Sequence, residues 1–437
     1  MNLKKNNDII SINSVLLKNG TIYDPFIKMN KIADILIQRG KISEIKIDIK
    51  SIDSETLIID CENKIITNGF IDLHSHFREP GFEIKETIET GSLAAFYGGY
   101  TRVCTMANTN PVIDTPELVE HIINQSKSLP VYIHPIGAIT KGQKGEELAE
   151  IGGMVKSGAV AISDDGIPLK NSYLLRMALE YSKKFNIPVI NHAEDAYLVN
   201  EGLMNEGVNA LKLGLPGNPD IAESSMVFRD LSISHYVGGR IHVPHVSSYK
   251  SLEVINQFKK LGLNITAEVT PHHLCLTDDM LVGFDTNAKV APPIRTEKDR
   301  AALIKGIQTG VIDCVATDHA PHSIEDKERD FQNACCGMIG LESAFGLVNK
   351  TLSSKMDLKS IINLFTINPA KVINITPNLI EVDNLAELTI IDPDCEWIFN
   401  EERIFSKSKN TPIIGRKLKG RIVSTINKGF LSNYNNL

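Results

Sequence analysis

Two histidines separated by one residue, His74 and His76 in IDLHSHFREPG, follow an apolar run. On an extended strand, residues two apart point to the same side, so both rings can aim at one point. Neutral imidazole is a common zinc ligand. Two hydrogen-bonded histidines at a strand end would read the same way, but further segments repeat the pattern. VAISDDG carries Asp164 and Asp165, IPVINHAED carries His192, IHVPHVSS carries His245, and IDCVATDHAPH carries Asp318, His319 and His322. Ligand-type residues at the ends of so many short β-like runs call for one common cause, a barrel of parallel strands.

Between residues 69 and 371, β-branched runs alternate with amphipathic stretches. Eight runs are legible: GFIDLHSHF, TRVCTMA, VYIHPIGAI, AVAISDD, PVINHAE, IHVPHVS, NITAEVTPHHL and VIDCVATDHA. Helix-like stretches such as 171–185 and 250–261 separate them. Eight βα units predict an α/β fold, a closed (β/α)8 TIM-like barrel with its chemistry at the carboxyl ends of the strands. Residues 1–68 and 372–437 read instead as short strands, and neither end alone makes a core. The two are expected to combine into one small β-sandwich, with the barrel occupying 69–371. The charged segment 322–336 after the eighth run is the expected mobile segment over the site.

The chain has 437 residues, 42% hydrophobic and 23% charged, with a formal charge of −7 and no long like-charge block. No basic stripe offers itself to nucleic acid or to an anionic membrane, so a small-molecule substrate is expected. The N-terminal MNLKKNNDIISINSVLLKNG reads as a strand and not as a signal peptide, since polar residues interrupt it and no small-residue cleavage pattern follows. No stretch reaches about 18 uninterrupted apolar residues, and a cytoplasmic location is expected. Seven scattered cysteines without C-x-x-C spacing predict reduced thiols. Cys104 and Cys314 read as small core residues, and the vicinal Cys335 and Cys336 as ordinary loop thiols.

Taken together, DLHSHFREPGFEIKETIETG, PIGAITKGQKGEEL, SDDGIPLKNSYLLRMALEY, NEGVNALKLGLPG, AEVTPHHLCLTDDM, ATDHAPH, CGMIGLE and KNTPIIGRKLKG resemble the amidohydrolase superfamily. Within it they are most similar to bacterial dihydroorotases whose metal bridge is an aspartate. The resemblance implies reversible cyclisation of N-carbamoyl-L-aspartate to L-dihydroorotate with loss of water, a step of de novo pyrimidine (UMP) biosynthesis. It implies two zinc ions per subunit that activate a bridging hydroxide: His74 and His76 on the first, His192 and His245 on the second, Asp165 bridging. Asp318 would ligate the first ion and shuttle the proton, and Arg78, Asn108 and His322 would hold the substrate carboxylate. A homo-oligomer, a dimer, is expected, and aspartate carbamoyltransferase is the candidate protein partner.

The residue chemistry agrees with an anionic substrate. An arginine fork can donate two parallel hydrogen bonds to a carboxylate, although Arg78 could instead pair with Glu79 or Glu83. Hydantoinases, dihydropyrimidinases and allantoinases resemble the same superfamily but use a carboxylated lysine as the bridge, and no lysine stands at that position here. A metal-free scaffold partner of aspartate carbamoyltransferase would have lost ligands that this chain keeps. Three positions depart from the family pattern: Ala107 in MANT, Ala291 in KVAPP and Cys336 before Gly337. Asp164 and His319 are expected to support the site without touching metal, and His272 and His273 either to orient it or to be structural. His121, His134, His235 and His242 are expected at surface or core positions.

Overall fold

The first barrel strand, Phe70–Ser75 (FIDLHS), is buried at every position, as a parallel strand covered on both faces must be. The computed structural model describes residues 9–50 and 52–432, so the first eight residues of the predicted N-terminal strand lie outside the described residues. Seven more parallel strands follow in sequence order: Tyr100–Thr105, Tyr132–Gly137, Ala161–Ser163, Val189–Ile190, Ile241–Val243, Ile265–Val269 and Cys314–Val315. Each falls inside one of the eight predicted runs, except that the second begins one residue early, at Tyr100. A parallel bridge between Ser75 and His319 joins the eighth strand's exit to the first strand, and the His76 amide donates to the His319 carbonyl at 2.8 Å.

Barrel closure has a polar clasp. Buried Asp72 accepts from the Thr317 amide at 2.8 Å and the Thr317 hydroxyl at 2.7 Å, and also from Ser75. Burial pushes its carboxyl up to about 6, with the hydroxyl and amide donors acting against that rise.

Helices cover the barrel where the sequence supplies a start signal and an apolar face. Ser172–Ser182 begins behind Asn171, whose side chain accepts from the Tyr173 and Leu174 amides. Tyr249–Lys259 begins behind Ser248, which accepts from Ser251. The first lies within the predicted stretch 171–185, and the second begins one residue ahead of the predicted 250–261.

The chain ends meet in one mixed sheet. Its order is 9–11, 430–432, 417–427, 388–398, 65–68, 14–24, 29–38, 41–46, with 57–60 branching from 14–24. The ends join through two antiparallel strand pairings, of 388–391 with 65–68 and of 9–11 with 430–432. Residues from both ends, among them Val15, Ile35, Ile66, Leu388, Ile390 and Ile426, share one buried apolar cluster, which is why neither end needs a core of its own.

Glu387 ties this sheet to the barrel. It accepts from Arg102 at 2.6 and 2.9 Å and from Thr101 at 2.9 Å. Among the described residues no helix is long and apolar enough to cross a membrane.

The segment 322–336 is held by lysine side chains that donate to its backbone carbonyls. Buried Lys289 donates to the carbonyls of Phe331, Gln332 and Ala334 at 2.7, 3.0 and 2.8 Å. Lys327 donates to those of Cys335 and Gly337 at 2.8 and 3.0 Å. Two ammonium groups thus shape it from within, a role that charge counting along the chain does not disclose.

Candidate active site

Six ligand-type side chains converge at the carboxyl end of the barrel. His74 lies in the first strand and His76 just beyond it; Asp165, His192 and His245 each follow their strand by two residues, and Asp318 follows the eighth by three. Arg78, His245 and Asp318 all have left-handed backbones, with φ of 62°, 33° and 47°. Such conformations cost about 1–3 kcal/mol each and persist where the surroundings enforce them.

Asp165 is the centre of the cluster. Its Oδ2 lies 3.3 Å from His74 Nε2 and 3.4 Å from His76 Nε2, while its Oδ1 lies 3.2 Å from His245 Nε2 and 3.5 Å from His192 Nδ1. Asp318 Oδ1 stands 3.2 Å from His76 Nε2 and 3.6 Å from His74 Nε2. Donor atoms about 2.0–2.1 Å from one tetrahedral zinc stand roughly 3.4 Å apart, so these separations suit two neighbouring ions sharing one carboxylate.

Two further observations fit a metal. Buried His74 Nε2 has no hydrogen-bond partner although it faces carboxylates, and His192 Nδ1 faces His245 Nε2 at 3.0 Å. Two imidazole lone pairs would repel there unless a proton or cation lay between them.

The electrostatics say the same. Burial lowers the basicity of His74, but the charges of Asp165 and Asp318 outweigh it and raise the group well above the usual histidine range. His192, likewise opposed by burial, is raised to about 10 through Asp165 and Glu194. Burial opposes ionisation of Asp165, yet the surrounding histidines hold it well below the usual carboxylate range. The donor set demands positive charge.

Supporting residues fix the rings. His74 Nδ1 lies 2.9 Å from Glu268 Oε1, and the other Glu268 oxygen lies 2.9 Å from His242 Nε2. His76 Nδ1 lies 2.8 Å from Asn108 Oδ1, which leaves the Asn108 amide NH2 free of that contact. Glu194 lies 3.6 Å from His192 Nε2 and accepts from Asn218.

A cavity of about 240 Å³ opens beside the cluster, lined by His76, Arg78, Asn108, Asp318, His322 and Ala291 among others. The three residues expected to bind a carboxylate therefore share its wall. Arg78 does not pair with Glu79 or Glu83. Its Nε donates to Pro321 O at 3.1 Å, and its terminal nitrogen lies 3.3 Å from His322 Nε2. Glu79 instead accepts from the Ile88 amide, and Glu83 from that of Gly81.

Gly337, with φ of 137°, lets the backbone close on His322: a Cβ there would stand 3.0 Å from the His322 ring and 2.9 Å from Ala320 Cβ. Of the three departures, Ala291 and Cys336 line the cavity and Ala107 is buried beneath Asn108.

Asp164 accepts from the Ile139 and Thr140 amides and the Thr140 hydroxyl, so it braces the neighbouring loop. His273 is held by Thr270 and Pro292 O, and His319 by Glu86 and the Gly340 amide. His242 is a core residue, as expected, but it also reaches His74 through Glu268. Sequence reading passed over Glu268 and Glu194. The available signal was an acid within or just after an apolar run, in AEVTP and NHAED.

A family model described as Dihydro-orotase-like matches residues 63–251. The chain is 43% identical over 419 residues to a dihydroorotase of Thermoanaerobacter sp. (strain X514), covering 95% of this chain and 96% of that one. It is 44% identical over 418 residues to a dihydroorotase of Acetivibrio thermocellus, covering 95% and 98%. The chain belongs to the dihydroorotase family.

Solved structures share the fold of this family member more distantly. An L-hydantoinase from Arthrobacter aurescens superposes with a TM-score of 0.82 at 23% identity, over 97% of this chain and 96% of that one. A D-hydantoinase gives 0.80 at 20% identity over 95% and 94%. At such identities the likeness establishes the fold alone: a barrel of eight parallel strands with a mixed sheet built from the chain ends.

Proposed function

We propose that this cyclic amidohydrolase interconverts N-carbamoyl-L-aspartate and L-dihydroorotate, the ring-closing step of pyrimidine biosynthesis, using two zinc ions per subunit. The observation that carries the reading is the Asp165 carboxylate, one oxygen toward His74 and His76 and the other toward His192 and His245, in a cavity whose rim holds Arg78, Asn108 and His322. His74 and His76, with Asp318, would hold one ion, His192 and His245 the second, and Asp165 both. Bound there, the ions would supply a nucleophile at neutral pH and polarise the carbonyl under attack.

The protein's own groups do the rest. Arg78, the Asn108 amide and His322 hold the carboxylate that is not part of the ring, and so place the ring carbonyl over the metal cradle. In ring opening, water adds to that carbonyl and the bond from its carbon to the ring nitrogen breaks. Asp318 takes the proton released by the attacking water and delivers it to the departing nitrogen. Ring closure runs through the same groups in reverse: Asp318 removes the nitrogen's proton, the nitrogen attacks the side-chain carboxyl, and water leaves. Ala291 presents only a methyl group to the cavity, so recognition rests on the carboxylate end of the substrate.

The same reading divides the chain into a barrel of 69–371 and a composite unit of 1–68 with 372–437. It carries a homodimer and a docking partner, aspartate carbamoyltransferase, as expectations that sedimentation of the purified protein alone and with that partner tests.

Rates of metal-loaded protein on L-dihydroorotate, dihydrouracil, hydantoin and allantoin test the function. Turnover selective for L-dihydroorotate is expected. Preference for an uncharged ring would overturn the carboxylate assignments, and no turnover of any would leave the scaffold reading.

A further inference from the structure

Lys85 sits in the loop after the first barrel strand, just ahead of helix Ile88–Tyr97, and no step above uses it. Its ammonium lies 3.0 Å from Asp326 Oδ2 and 3.4 Å from His322 Nδ1, in a partly buried position. Asp326 Oδ2 is itself 3.5 Å from His322 Nδ1. On the opposite edge of the ring, His322 Nε2 lies 2.8 Å from the Cys336 carbonyl and 3.3 Å from an Arg78 nitrogen.

These contacts select one tautomer. An ammonium group has only protons to give, so its approach to Nδ1 requires a lone pair there. A carbonyl oxygen at 2.8 Å has only lone pairs to offer, so Nε2 must carry the hydrogen. The reverse tautomer would donate from Nδ1 to Asp326 and accept at Nε2 from Arg78, at the cost of setting that lone pair against the Cys336 oxygen, so Lys85, which engages both Asp326 and Nδ1, tips the balance between the two. Double protonation is opposed by burial first and then by the charges of Arg78, Lys85 and Lys327, with Asp326 acting the other way; the group is pushed down to about 3.

The ligand atoms of His322, Asp326 and Cys335 are close enough to hold a cation. Lys85 already brings its charge to two of the three, and so takes the place of a metal there.

We propose that Lys85 is a positioning residue for substrate recognition: it holds His322 as the Nε2–H tautomer, so that the ring presents a proton to the substrate carboxylate beside Arg78. On binding, Nε2–H exchanges the Cys336 carbonyl for a carboxylate oxygen, a stronger acceptor. The proposal rests on the reading of His322 as a carboxylate ligand.

The test uses full-length, metal-loaded protein labelled with nitrogen-15 in its histidines, with the His322 signals identified by their loss in His322→Asn. Wild-type protein and Lys85→Arg should show His322 protonated at Nε2, and Lys85→Met should move the proton to Nδ1. In parallel, Lys85→Met should raise KM for L-dihydroorotate about tenfold and leave kcat within about threefold, with Lys85→Arg restoring most of the loss. An unchanged tautomer in Lys85→Met overturns the proposal. So does a changed tautomer with unchanged KM when His322→Asn does raise KM. If His322→Asn leaves KM unmoved as well, the substrate reading of His322 is what fails, and the recognition role of Lys85 falls with it.

Discussion

Glu268 Oε1 lies 2.9 Å from Nδ1 of His74, and this one contact decides which ring nitrogen of His74 is offered to the metal cradle. The acid is ionised: burial opposes this, but hydrogen bonds from His242 and His74 hold it down at about 2. It therefore accepts the hydrogen bond from Nδ1–H of His74 and leaves Nε2 as the ligand atom.

Replacing Glu268 with Gln keeps the shape and removes the charge that fixes this tautomer. Such supporting residues typically contribute 10- to 100-fold to metal affinity. Glu268→Gln should lose metal to a competing chelator about 10- to 100-fold more readily than wild type, with the fold intact by circular dichroism. Equal retention would mean that Glu268 does not orient His74.

Gly337 offers a test at the substrate end. With φ of 137° and a would-be Cβ 3.0 Å from the His322 ring, Gly337→Ala must displace either the ring or the backbone. Destabilisation of about 1–3 kcal/mol is expected, together with a KM for L-dihydroorotate raised more than kcat is lowered. Denaturant titration and steady-state kinetics on one preparation check both, and an unchanged KM would place His322 outside carboxylate recognition.

A third expectation concerns the seam between the terminal sheet and the barrel. Glu387 is buried; burial raises its carboxyl, but hydrogen bonds and charge from Arg102 outweigh it, so the folded group sits below the ordinary 4.5. A group depressed on folding contributes stability that is fully present above its unfolded value and is lost as pH falls through the folded one. Glu387→Ala, which leaves the mostly covered Arg102 without its partner, should cost about 2–4 kcal/mol at pH 7. Glu387→Gln should also be less stable than wild type at pH 7, by a margin that narrows below about pH 4.5. Urea unfolding of the proteins across that range measures it, and a pH-independent margin would contradict the ion-pair account.

Much of this architecture was legible in the chain because barrel strands carry their own punctuation. The alternation that puts His74 and His76 on one side of an extended chain is visible in DLHSH, and the eight apolar runs each contain one observed strand, except that the second strand begins one residue ahead of its run. Residues that act from a different strand were harder to read. Glu268 looked like a stray acid in AEVTP until the fold set it between His74 and His242. Asp72 looked like part of a strand until it met Thr317, 245 positions away. Nothing in the sequence around Lys289 and Lys327 shows that their ammonium groups donate to backbone carbonyls of the segment over the site. Periodicity reports which face a residue occupies, but not which distant group meets it there.

The most direct test of the shared-carboxylate account is to measure metal content and L-dihydroorotate ring opening on the same samples, as wild-type protein is stripped and reloaded and for Asp165→Ala. The account predicts about two equivalents per chain at full activity, with activity lost on stripping and regained on reloading. In Asp165→Ala it predicts weakened binding of both ions and a fall in turnover of about a thousandfold or more. Full turnover with one equivalent or none, or an Asp165→Ala protein that keeps two ions and its activity, would contradict it.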